Sequence, residues 1–140
     1  MFKKIMVPVD LAHAALLQSS IDLAADLAKR YQAETCYVSV TANTPGALAR
    51  TPEEYAHKLA DFAKAQGKLH GQEVSSRVVT APDPIADMDD AIIQAIHDTG
   101  ADLVIMSTHL PRRLDVVVPS NGGKVATHTD VSVFLVRHRD

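Results

Sequence analysis

The 140-residue chain has one cysteine, no excess of positive charge, no apolar run of membrane-spanning length and neither of the common glycine-rich phosphate motifs. Each absence removes a class of protein. A single cysteine, Cys36, excludes an internal disulfide framework and any zinc site built on paired cysteines. Between Thr35 and Tyr37, in a strand-like run, it reads as a buried, inert thiol. A formal charge of −3, with basic residues gathered only in short groups such as Arg112-Arg113 and Arg137-His138-Arg139, leaves no footprint for nucleic acid. The apolar residues behind Lys3 and Lys4 are too few for a signal peptide or a membrane span, so a cytoplasmic protein with no membrane partner is expected. Gly122-Gly123-Lys124-Val125 lacks the spacing and the hydroxyl of G-x-x-x-x-G-K-[ST], which excludes a P-loop NTPase. No G-x-G-x-x-G follows the first strand either, so the ordinary dinucleotide fingerprint is missing.

What is present is an ordinary globular composition, 46% hydrophobic and 22% charged, of a length that fits one domain over residues 1–140. KKIMVPV at residues 3–9 reads as a buried strand finishing at Pro8, with Asp10 directly after it. From Ala14 to Tyr31, Leu17, Ile21, Ala24, Leu27, Ala28 and Tyr31 recur at helical spacing. ETCYVSV at 34–40 alternates as a second strand, and residues 41–51, with Asn43, Pro45 and Gly46, read as a loop or lid. Thr51-Pro52-Glu53-Glu54 is a strong helix start; the helix runs to about Leu69 on a stripe of Tyr55, Leu59, Phe62 and Gln66, and Gly71 ends it. A third strand (73–80), a third helix around Met88, Ile92, Ala95 and Ile96, a fourth strand (102–106), a short helix from Ser120 to about Thr129 and a last strand (131–136) complete the chain. Apolar strands alternating with amphipathic helices predict an open parallel sheet covered on both faces.

The stretch from Asp102 to Lys124 is the organising one. An apolar run closes at Met106 with Ser107, Thr108 and His109, a loop follows, and Ser120 caps a helix opening on Asn121, Gly122 and Gly123. Ligands of such sheets bind beyond the carboxyl ends of the strands, where the strand order reverses. A switch point at the first strand brings Pro8, Val9 and Asp10 beside the end of the fourth. Helix N–H groups at Ser120 then offer a phosphate seat. Acids at 83, 87, 89 and 90 suit a helix entry without any metal. The seven histidines are scattered with no close i, i+4 pair, so no metal site is expected.

KKIMVPVD, DLVIMSTH, the Ser120-Asn121 pair and VSVFLVR together resemble the universal stress protein family over the whole length. The resemblance implies a Rossmann-like fold of strand order 3-2-1-4-5, a homodimer joined through the last strand, Val131 to Val136, and a bound adenine nucleotide, ATP (with magnesium) or AMP. Pro8 and Asp10 match residues that face adenine and ribose, and Val40 matches one whose backbone meets adenine. The phosphate loop of nucleotide-binding members carries three glycines before a Ser or Thr. Here Ser107, Leu110 and Pro119 stand at those three positions, while His109, Ser120 and Asn121 match types common in the family. Glycine serves such loops by close approach and positive φ, and Pro119 has no N–H to give a phosphate. Losing one charged hydrogen bond, worth roughly 1.5 to 3 kcal/mol, weakens binding by roughly ten- to a hundred-fold. Gly122, Gly123, Arg112 and Arg113 are available as replacements.

Two functions are therefore weighed. One is a stress-response protein that binds an adenine nucleotide and acts through its dimer with little or no turnover. The other is a nucleotide-blind dimeric interaction module. A magnesium-dependent hydrolase on Asp10 lacks an identifiable base, and a Ser-His-Asp hydrolase lacks a nucleophile elbow.

Overall fold

The structure, a computed structural model, describes residues 1–84, 86–109 and 121–138. Five strands, β1 (Lys4–Pro8), β2 (Glu34–Thr41), β3 (Val74–Thr80), β4 (Leu103–His109) and β5 (Ser132–His138), form one parallel sheet ordered β3-β2-β1-β4-β5. Helices α1 (Gln18–Tyr31) and α2 (Pro52–His70) cover one face, α3 (Met88–Thr99) and α4 (Asn121–His128) the other. The doubly wound sheet and the order 3-2-1-4-5 are as the sequence implies.

Side-chain alternation along β1 divides the core in two. Ile5 and Val7 pack with Ile21 and Ala24 of α1 and Leu59 of α2, while Met6 packs with Cys36, Val104, Ile92 and Ile96 on the opposite face. Cys36 is buried among these groups, and burial pushes its thiol up from the ordinary range. At the amino end of the sheet, both carboxylate oxygens of Asp102 accept main-chain hydrogen bonds, from Lys3 N at 2.9 Å and Lys4 N at 3.1 Å, which ties β4 to the start of β1.

Several boundaries and stripes differ from the sequence reading; β5, for one, runs Ser132–His138 in place of 131–136. The first α-helix begins at Gln18, not Ala14, because Leu11–Leu17 is a 3-10 segment. His13 within it has non-helical dihedrals (φ −128°, ψ 25°) and kinks the segment, whose half-buried positions are Leu11, Ala14 and Leu17. In α2 the buried row is Tyr55, Leu59, Ala63 and Gly67, spaced by four, in place of the expected Phe62 and Gln66. A Cβ at Gly67 would stand 2.8 Å from Val74 Cγ2 and 3.0 Å from the Gln72 carbonyl, so glycine is what lets α2 lie this close to β3. Phe62 instead packs edge-on against Tyr37, with ring centroids 5.3 Å apart. The fourth strand continues past Met106 to His109 because β5 runs beside it, pairing Ser107 with Val136 and His109 with His138.

Tyr37 is 2% exposed, and its burial, reinforced by the Asp22 carboxylate, pushes its phenol from 10.0 up to about 12. Between those values the unfolded chain ionises this group and the folded chain does not. Stability present below pH 10 therefore falls by roughly 2–3 kcal/mol as the pH rises to about 12. Urea unfolding of Tyr37→Phe is expected to lack this alkaline loss; an unchanged alkaline slope would place its origin elsewhere.

Candidate functional site

The strand order reverses at β1, which has β2 on one side and β4 on the other. Pairing between β1 and β4 is confined to Ile5 with Leu103 and Met6 with Val104, whereas β4 continues to His109. Beyond these pairs, at the carboxyl ends, lies a cleft of about 460 Å³. Pro8, Val9, Asp10, Val40, Met106 and Ser107, six of the residues singled out in the sequence, line it together.

Val38, Val40, Met88, Ile92 and Met106 supply the apolar part of its wall. Val9 N–H donates to the Val38 carbonyl at 2.8 Å, and the alternation of a strand turns the N–H and C=O of Val40 to the same side. By then β1 has ended at Pro8, and the Val9 carbonyl is taken by the buried Ser39 hydroxyl at 2.7 Å. Val40 thus presents a main-chain donor and acceptor to the cleft.

Asp10 sits at the polar side with its side chain 60% exposed. It caps the 3-10 segment: Oδ1 accepts Ala12 N–H at 3.0 Å, and Oδ2 lies 2.9 Å from His13 Nδ1. Leu11 N–H donates to the Tyr55 hydroxyl at 3.3 Å, which fixes the entry of this segment against α2.

Ser107, at the first of the replaced glycines, commits its hydroxyl proton to a partner within the protein. Its Oγ donates to Ser20 Oγ at 2.8 Å, and Ser20 in turn donates to the Leu17 carbonyl at 2.9 Å. The chain of two hydroxyls ties β4 to the start of α1. Ser20, buried in that helix, is a residue whose role only this pairing reveals.

His109 ends β4, and Asn121 and Gly122 open α4. Leu110, Pro119 and Ser120, with Arg112 and Arg113, lie outside the described residues. The expected cap at Ser120 therefore belongs to that stretch too. Leu17, Val38, Thr41, Ala42, Tyr55, Pro84, Met88 and Ile92 line the cleft without having been singled out as site residues. The only sequence signal for most of them is position, near the carboxyl end of a strand or the start of the next helix, and which of these ends converge depends on strand order.

The acids expected at a helix entry serve that end. Asp87 Oδ2 accepts Asp83 N–H at 3.1 Å, and Asp83 Oδ1 accepts Ala86 N–H at 3.2 Å. Asp89, buried in the first turn of α3, has its carboxyl pushed up by burial, with Lys124 of α4 opposing that shift from 4.0 Å. Lys124 also reaches Asp90 at 3.9 Å, joining α3 to α4. Among the described residues no three His, Cys, Asp or Glu side chains gather to hold a metal, and no helix is long and apolar enough to cross a membrane.

A doubly wound parallel sheet with an apolar cleft at its switch point, a carboxylate at the rim and main-chain groups beyond the end of a terminated strand defines a small Rossmann-like domain. Residues 1–137 match the model of the universal stress protein family, and the chain belongs to that family. Solved structures agree in fold. A universal stress protein in complex with cAMP is 18% identical, with 99% of each chain covered and a TM-score of 0.74. One from Archaeoglobus fulgidus in complex with dAMP is 16% identical over 95% of this chain and 96% of that one, with a TM-score of 0.63. A family member from Arabidopsis thaliana with AMP bound is 14% identical over 98% and 92%, with a TM-score of 0.64.

Proposed function

We propose that this protein binds an adenine nucleotide by its nucleoside, with the phosphates contributing little, and acts in a stress response as a homodimer without turnover. The observation that carries the reading is the pairing of the Val40 main chain with the Asp10 carboxylate across one apolar cleft. An N–H beside a C=O complements the ring nitrogen and amino group of adenine, the wall of Val38, Met88 and Ile92 takes the flat ring, and an exposed carboxylate accepts ribose hydroxyls. The bound cAMP, dAMP and AMP of the three similar structures support the same ligand class. A weak phosphate share follows from Ser107, whose hydroxyl is spent on Ser20, and from the residues Leu110 and Pro119 that replace glycine.

Calorimetric titration of adenosine, AMP and ATP with magnesium into protein freed of carried-over nucleotide tests this reading. Micromolar AMP, adenosine within about ten-fold of it and ATP no tighter than AMP are the expected results. ATP bound a hundred-fold more tightly than AMP would return the phosphates to the centre of recognition. No heat with any of the three would leave the dimeric interaction module as the function, a reading favoured by the engagement of both Asp10 oxygens within the protein itself.

A further inference from the structure

We propose that the nucleotide cleft has a second, apolar arm beneath residues 41–51, and that its ligand is an adenine nucleotide carrying an apolar group on the exocyclic amine of the base. This inference rests on the nucleoside reading of the cleft. A cavity of about 260 Å³ lies under the segment that follows β2, and it shares Thr41, Ala42 and Tyr55 with the main cleft. The rest of its lining is mostly apolar, Ala12, Ala47 and Ala49 beside Pro45 and Leu48, with Thr44, Gly46 and Thr51 completing it. Short side chains from separate turns leave the volume, and the apolar lining disfavours a phosphate or other charged group.

The roof of the arm is anchored. Gly46 N–H donates to the Ala49 carbonyl at 2.8 Å, Lys58 Nζ donates to the Leu48 carbonyl, and Thr51 Oγ accepts Glu54 N–H at 3.1 Å. Leu48 and Ala49 also pack on the core. Tyr55, 8% exposed and held by Leu11 N–H, lines both the arm and the cleft. The direction of the chain joins the two spaces: Val40 meets the polar edge of the base, and the next residues, Thr41 and Ala42, lead into the arm. A group attached at that edge therefore extends past them, where an unsubstituted adenine leaves the space unfilled.

The test compares AMP with N6-benzyl-AMP by calorimetry on the full chain, in wild type and in Ala47→Phe and Ala49→Leu, two residues that line the arm alone. N6-benzyl-AMP is expected to bind wild type about ten-fold more tightly than AMP. Filling the arm should abolish that advantage while leaving AMP unchanged. AMP that binds well beside an N6-benzyl-AMP that binds more weakly would overturn the arm and leave the nucleoside reading standing. An advantage that survives both fillers would place the benzyl group elsewhere and overturn it equally. Failure of both nucleotides to bind would remove the nucleoside reading and the arm together, whereas N6-benzyl-AMP binding alone would support the arm.

Discussion

Replacement of Asp10 by alanine is expected to weaken AMP binding by about a hundred-fold. Hydrogen bonds to a charged acceptor are worth roughly 1.5 to 3 kcal/mol each, and a ribose offers two hydroxyls to one carboxylate. The net is smaller than the sum because Asp10 must release His13 Nδ1, at 2.9 Å, or share its oxygens with it. Exposed pairs of that kind contribute only about 0.2–1 kcal/mol, so the ribose wins the exchange. Asp10 also caps the 3-10 segment through Ala12 N–H, and a loss of binding could follow from a disordered rim. Asp10→Asn separates the two effects, since its amide oxygen keeps the cap while the charge is lost; an intermediate, roughly ten-fold weakening is expected. dAMP lacks one hydroxyl, so a preference for AMP over dAMP is expected of wild type and should vanish in Asp10→Ala. AMP affinity within three-fold of wild type in the alanine variant would remove Asp10 from the site.

Phe134→Asp is expected to convert the proposed dimer to monomers, read by light scattering. β5 forms one edge of the sheet, and an apolar edge strand leaves main-chain groups and side chains in need of a partner. Phe134 is 47% exposed, while Val133 and Leu135 point the other way and pack against the core formed with α3 and α4. A charge at Val133 or Leu135 strikes the monomer core as well as any interface. Phe134 isolates the interface. Burying a phenylalanine contributes roughly 1.5–3 kcal/mol, and a dimer with twofold symmetry counts it twice while an aspartate would face its own copy. A folded Phe134→Asp protein that remains dimeric would exclude this edge as the contact.

By itself the sequence determined the class of fold and marked six residues that line the cleft. Apolar runs such as KIMVP and LVIM, alternating with helices of clear period, admit only a covered parallel sheet, because both faces of such strands must be buried. Thr51-Pro52 and Gly71 bound α2 as read, since capping chemistry is local: Thr51 Oγ accepts Glu54 N–H, and Gly71 takes a φ of +65°. Asp10 and Val40 were legible because they stand at strand ends, and those ends follow from the pattern.

Tertiary structure decided what depends on residues distant in the chain. The extension of β4 to His109 comes from pairing with β5. Gly67 owes its place to the nearness of Val74, not to any turn. Ser107 illustrates the difference best. Its sequence position marks it as a phosphate-loop residue, yet its hydroxyl bonds Ser20, 87 residues earlier, and no local pattern encodes a hydrogen bond between side chains brought together only by the order of the strands.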